Sequence, residues 1–147
     1  MLETIKTLVK SKDICVLGTS NGDLPHTSLM AYAADKDAQF FWLISSMSTR
    51  KMRNLRANPH ASLLIDTREQ HLPDHRDRAM ALTVSATYIP PSSRGELMVL
   101  KERFISYMPH MQDFAERGDT TVITLRANSF LLLAGLDQQH FIDLGQN

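Results

Sequence analysis

The 147-residue sequence holds one cysteine, Cys15. A single thiol excludes an intramolecular disulfide and any zinc site built from several cysteines. It lies in the apolar run Ile14-Cys15-Val16-Leu17 with no base beside it, the setting of a buried core thiol and not of a nucleophile. An excess of one charge is also missing, because 16 basic and 16 acidic side chains cancel. That balance removes the electrostatic basis for general binding to nucleic acid or to a membrane surface. No stretch approaches the roughly 20 apolar residues that cross a bilayer. The N-terminal MLETIKTLVKSKD has Glu3 near its start and no long apolar centre, so it does not read as a secretory signal. A soluble, cytoplasmic protein is expected. A Gly-x-Gly-x-x-Gly dinucleotide cradle is absent, as are internal repeats and low-complexity tracts.

What is present reads as globular: 43% of residues are hydrophobic and 22% charged. A chain of this length is expected to form one domain, residues 1–147, burying roughly 70% of its unfolded surface without a disulfide or metal. Leu2, Ile5, Leu8 and Val9 have the spacing of one helical face. A strand over Ile14 to Gly18 follows, then a turn at Ser20-Asn21-Gly22-Asp23, where Asn-Gly suits a tight turn with positive φ at both central positions. Strands are predicted at Thr27 to Ala34, Gln39 to Ser45, His60 to Asp66 and Met80 to Ile89. Thr49 to Ala57 changes to helical period and stops at Asn58-Pro59. Leu97, Leu100, Phe104, Ile105 and Met108 stripe a helix over Gly95 to Met108, with a second short turn over His110 to Glu116. Thr121 to Leu125, Phe130 to Leu136 and His140 to Leu144 complete the strands, the last two turning through Asp137-Gln138-Gln139. Strand follows strand without β-α-β alternation. The expected fold is mainly β, a β-barrel with inserted helices.

The informative stretch is FFWLISSMSTRKMRNLRANPHASLLID, Phe40 to Asp66. An apolar strand runs into hydroxyls at Ser45, Ser46, Ser48 and Thr49, and a helix opens with Arg50 and Lys51 in its first turn. First-turn amides lack helical partners and carry partial positive charge. With an Arg fork, a Lys charge and hydroxyl donors added, the segment can cradle one phosphate. Two cations in that turn oppose the helix dipole unless an anion offsets them. Arg50, Lys51, Arg53 and Arg56 could equally form a solvated basic face, and spacing alone leaves both readings open. A nucleic-acid reading is weakened by the zero net charge and the lack of a reader module.

The same stretch resembles the FMN-binding signature of the pyridoxamine phosphate oxidase-like split-barrel family: an aromatic-rich strand, a small polar pair (Ser45-Ser46), a phosphate clamp (Thr49-Arg50-Lys51), Leu55, then Asn58-Pro59 before another strand. Gly22 to Tyr32 resembles the family's first hairpin, whose return strand runs beneath the flavin ring. The resemblance implies an FMN-binding split β-barrel, with Arg50 and Lys51 on the phosphate and Ser45, Ser46 and Thr49 donating hydroxyls. It places His26, Thr27, Ser28, Leu29 and Met30 along the ring. Strand alternation puts His26, Ser28 and Met30 on one face and Thr27 and Leu29 on the other, and the sequence leaves open which set meets the flavin. It implies a homodimer with cofactor between the subunits and an FMN-dependent oxidoreductase acting on a small molecule. The catalytic residues are unknown, since the flavin itself carries the redox chemistry. Alternatives are an F420-binding relative, a non-catalytic flavin or haem carrier or sensor, and a basic interaction module without a cofactor.

Relatives that oxidise vitamin B6 phosphates carry an additional Arg on the hairpin strand, where this chain has Ser28 or its neighbours, and end in a tail rich in Arg and Trp. This chain ends AGLDQQHFIDLGQN. Vitamin B6 oxidation is therefore not expected. His71 and His75 in HLPDH are separated by a helix-breaking proline and have no third ligand, so no metal is expected. The polar loop Thr67 to Arg78 around them is a candidate lid over the flavin. Trp42 alternates with Phe41 and Leu43 and is expected to pack on the face opposite to theirs.

Overall fold

The computed structural model describes residues 1–71 and 73–145. Leu72 of the polar loop and Gln146 and Asn147 of the tail lie outside the described residues. Helix α1 (Leu2–Ser11) packs Ile5, Leu8 and Val9 inward. Strands β1 (Ile14–Asn21) and β2 (Leu24–Ala31) form the first hairpin. Asn21 pairs with Leu24, so the central turn residues are Gly22 and Asp23. Only Gly22 has positive φ, at 59°, which makes this a glycine-first turn and not the doubly positive Asn-Gly turn read from the sequence.

The strand expected over 27–34 is broken at Tyr32. Its continuation, β3 (Ala33–Ala34), leaves β1 and pairs with β4 (Phe40–Ser46). The sheet order is β2-β1-β5-β6-β7-β4-β3, with β5 at His60–Asp66, β6 at Met80–Ile89 and β7 at Thr120–Ala134. β2 and β3 are consecutive in the chain yet terminal in that order, so the antiparallel sheet curls until its ends meet at Tyr32. That residue is 2% exposed; its amide donates to the Asp13 carbonyl (2.9 Å) and its hydroxyl to the Val9 carbonyl (2.6 Å).

β7 is one strand of 15 residues where the sequence pattern indicates two. The β6–β7 register shifts between Ser85 and Ala86: Ser85 faces Ser129 and Ala86 faces Ala127, leaving Asn128 as an inserted residue. The bulge reverses the alternation, so Ile123, Leu125 and Ala127 point to the core before it, and Phe130 and Leu132 after it. It also divides the strand's second edge. β4 pairs with Thr120 to Arg126 and β8 (Gln138–Asp143) with Ser129 to Ala134. Backbone groups at the break are satisfied by Ala127 N–H to the Gln39 carbonyl and by Leu144 N–H to the Asn128 carbonyl.

The main core lies inside the curl, where β1, β4, β5, β6 and β7 contribute Leu17, Phe41, Leu43, Leu63, Leu82 and Phe130. Each such side chain stabilises the fold by about 1.5–3 kcal/mol on burial. A second cluster forms on the outer face where α3 (Arg94–Tyr107) and α4 (Gln112–Ala115) cover β4 and β7 around Trp42, Ile44, Val122 and Phe104. Trp42 lies opposite Phe41 and Leu43 as the alternation predicts, stacked between Phe40 and Tyr107 with Arg103 over its ring. Ser93 caps α3, its hydroxyl accepting from Glu96 N–H.

Short 3-10 turns at Arg68–Gln70 and Pro73–Arg78 occupy the polar loop. Lys12 pairs with Glu69, and the Thr67 hydroxyl accepts from Met80 N–H. Gly135 has φ 74°, and a Cβ there would meet the Asp77 carbonyl oxygen at 2.8 Å. The contact docks the loop on the β7–β8 turn. Replacing Gly135 with Ala should therefore cost about 2–4 kcal/mol through strain and clash. Gly22→Ala, with nothing within 4 Å of the new Cβ, should cost about 1 kcal/mol. Equal losses in urea unfolding would contradict the docking contact.

Burial pushes the Cys15 thiol up to about 12. The folded state thus favours the protonated thiol, a contribution present below the ordinary value of 9.0 and lost as pH rises from there toward 12. Iodoacetamide at pH 8 should label the urea-unfolded chain readily and leave the folded chain unmodified; labelling of the native protein at the unfolded rate would contradict this burial.

Candidate functional site

Helix α2 (Arg50–Ala57) begins where β4 has run out, and the link between them is tightly bonded to itself. Thr49 is the N-cap: its hydroxyl accepts from Met52 N–H at 3.4 Å and donates to the Ser46 carbonyl at 3.2 Å. The Ser45 hydroxyl, 2.9 Å from that same carbonyl, lies 3.1 Å from Thr49 Oγ1, and Ser45 is only 2% exposed. Ser45 and Thr49 thus shape the helix entry. Ser46 is half-buried and within 3.4 Å of the Ser48 hydroxyl.

The four cations of α2 divide into two pairs. Arg53 donates to the Ser48 carbonyl (2.7 Å) and Arg56 to the Met47 carbonyl (3.0 Å), so both fold back on the entry loop. Arg50, exposed, and Lys51, half-buried, form no side-chain hydrogen bond or ion pair among the described residues. The first turn holds no acidic residue to balance them. Helix geometry leaves the amides of Arg50 and Lys51 without helical acceptors, while Thr49 occupies that of Met52. The result is a guanidinium, an ammonium and two amides at one helix terminus, a donor set that fits a phosphate group.

The helix is fixed to the first hairpin. Met52 and Leu55 enter the core, Asn54 Nδ2 donates to Thr19 Oγ1 at 3.1 Å and Asn58 Nδ2 to Ser20 Oγ at 3.0 Å. Asn54 and Thr19 are 4% and 5% exposed, so this bond is made away from water. Thr19 pairs across strands with His26, which brings α2 alongside the start of β2. On β2, His26, Ser28 and Met30 turn inward, Met30 reaching the core and Ser28 Oγ lying 3.3 Å from His26 Nε2. Thr27 and Leu29 point outward, with Leu29 74% exposed. The polar loop sits at the other end of β1 and β5, where Lys12 and Asp66 lie, away from the end on which Asn54 and Asn58 rest.

The outer face of the sheet beyond α3 is partly exposed among the described residues. Cross-strand pairing aligns Leu29, Val16, Leu64, Thr83, Leu131 and Phe141 in one row over six strands. Beside it an open groove of ≈ 430 Å3 runs from His26 and Thr27 over Gly18, Ser62 and Ser85 to Asn128. Among the described residues, three buried polar atoms of β7 have no hydrogen-bond partner: Thr124 Oγ1, Arg126 Nε and Asn128 Oδ1. Sequence reasoning passed over these residues, although an arginine and an asparagine inside VITLRANSFLLL interrupt an apolar run.

The model of the pyridoxamine 5'-phosphate oxidase family matches residues 1–134. Comparison with curated protein sequences finds no match. Among solved structures, a heme-binding protein from Mycobacterium smegmatis superposes with TM-score 0.81 at 17% identity, covering 97% of this chain, which spans 57% of that one. A FAD-binding protein from Mesorhizobium loti gives 0.71 at 16%, covering 90% of this chain and 91% of its own. A Clostridium acetobutylicum protein related to general stress protein 26, of the pyridoxinephosphate oxidase family, gives 0.71 at 19%, covering 97% and 94%. The curled antiparallel sheet with its four helices is the split-barrel fold of the flavin-binding proteins. The chain belongs to the pyridoxamine 5'-phosphate oxidase family.

Proposed function

We propose that the protein binds FMN through its phosphate at the N-terminus of α2 and serves as a homodimeric, FMN-dependent oxidoreductase for a small molecule. One observation carries this reading: of four neighbouring cations, two are bonded to loop carbonyls and two remain beside first-turn amides, with no acidic residue in that turn. A solvated basic face has no reason to divide its charges in this way. Arg50 and Lys51 would hold the phosphate, and Thr49 and Ser45 would keep the entry loop in shape. Ser46, half-exposed, would offer a hydroxyl to the phosphate.

The exposed outer set of β2, Thr27 and Leu29, is the one available to the ring; Met30 belongs to the core, and His26 and Ser28 share its face. A second copy of the chain would cover the row from Leu29 to Phe141. Bound flavin supplies hydride and electron transfer; the protein binds it, orients it and excludes water. No B6 phosphate role is proposed, because the hairpin from Gly22 to Tyr32 carries no arginine.

Titration of the protein with FMN tests the clamp. The double variant Arg50→Ala/Lys51→Ala should lose about 3 kcal/mol, on the order of 100-fold in affinity. Arg53→Ala, which removes a cation already bonded to Ser48, should lose less than about tenfold. An unchanged FMN affinity in the double variant would remove Arg50 and Lys51 from the site.

A further inference from the structure

A separate cleft of ≈ 500 Å3 opens between α2 and α3, and neither Arg50 nor Lys51 lines it. Lys101 of α3 lies in its wall and is 6% exposed, an unusual burial for a lysine. Its ammonium donates to the Arg117 carbonyl and to the Thr120 hydroxyl, both at 3.0 Å and both neutral. An ammonium has three donors, so one remains. No carboxylate pairs with it among the described residues. The two nearby acids are engaged elsewhere: Arg117 grips Asp119 at 2.8 and 3.0 Å, and Glu116 accepts from Gln112 at 2.7 Å. Burial holds the Lys101 ammonium below the usual lysine range, with Asp119 opposing that shift and Arg94 adding to it. Arg94, seven residues earlier on the same helix, lines the cleft and has no side-chain hydrogen bond or ion pair among the described residues.

The remaining walls are mixed: Arg56, Ser93, Glu116 and Thr120 give them polar groups, and methionines supply much of the apolar surface. Met47, Met52, Leu97 and Met98 line the cleft, with Met47 39% and Met98 49% exposed. Methionine adapts its shape to an irregular apolar ligand. We infer that this cleft binds a small monoanionic carboxylate with an apolar body, its head at Lys101 and Arg94 and its body against the methionines. Arg56 is bonded to the Met47 carbonyl and the Thr120 hydroxyl lies against the carbonyls of Ala115 and Arg117, so Lys101 and Arg94 supply the open cationic donors, a match for one carboxylate head. The size is that of a small-molecule site. This inference is independent of the flavin reading, since the residues used are different.

Octanoate is the probe, with octan-1-ol and octylammonium as neutral and cationic counterparts. In protein carrying 13C-methyl methionine, octanoate should shift Met47, Met52 and Met98 saturably. The alcohol and the ammonium should bind at least about tenfold more weakly, because they lack the charge-assisted bond. Lys101→Met should lower octanoate affinity about tenfold and leave the alcohol unchanged. Met98→Asp, on the exposed wall, keeps Lys101 in place and should also weaken octanoate. The Arg50→Ala/Lys51→Ala variant should bind octanoate normally whether or not it binds FMN. Absence of saturable shifts, equal binding of acid and alcohol, or full octanoate affinity in both Lys101→Met and Met98→Asp would overturn the inference.

Discussion

Only Tyr32 separates β2 from β3, and these two strands occupy opposite ends of the sheet order. Consecutive Cα atoms are about 3.8 Å apart, so the two ends of a seven-strand path must approach within a few ångströms. A flat sheet cannot satisfy that constraint and a curled one can. The curl encloses the main core and turns β2 so that His26, Ser28 and Met30 face inward and Leu29 faces out. Tyr32 holds the closure at two points, on Asp13 before β1 and on Val9 of α1. With the curl fixed, α2 has one place to lie, across the end of β1, where Asn54 and Asn58 meet Thr19 and Ser20.

That placement gives the basic helix terminus its chemistry. A peptide with the sequence of α2 would carry four cations on a fraying helix. In the protein, Met52 and Leu55 anchor the helix in the core and Arg53 and Arg56 brace the entry loop. Arg50 and Lys51 remain, and with them the first-turn amides. Stability is sacrificed here, since cations at a helix N-terminus oppose its dipole, by roughly 0.3–1 kcal/mol each at an exposed site. An anion bound at that terminus would reverse the sign of the interaction.

Much of this was legible in the sequence, because periodicity and punctuation carry local structure. Asn58-Pro59 ends α2 where expected, the strands over 40–46 and 60–66 fall within a residue of their predicted bounds, and Trp42 lies on the predicted face. The features that escaped have non-local causes. Asn128 is an ordinary residue in the sequence; only pairing with β6 makes it a bulge, and the reversed alternation beyond it reads as a break between two strands. The departure of β3 from β1 depends on which strand waits at the far end of the sheet. Ser45 and Thr49 read as ligand donors because hydroxyls cluster there, whereas the structure uses both to hold the Ser46 carbonyl. Lys101 sits within a helical stripe as any solvated lysine would, and its burial follows from the approach of Thr120 and Arg117.

The phosphate-centred reading is tested most directly by comparing the affinities of FMN and riboflavin for the same apoprotein. The two ligands share the ring and the ribityl chain and differ in the phosphate alone. The account predicts that FMN binds at least about 100-fold more tightly, a difference of about 2.7 kcal/mol, and that the gap narrows with added salt. Equal affinities, or binding of neither, would contradict it.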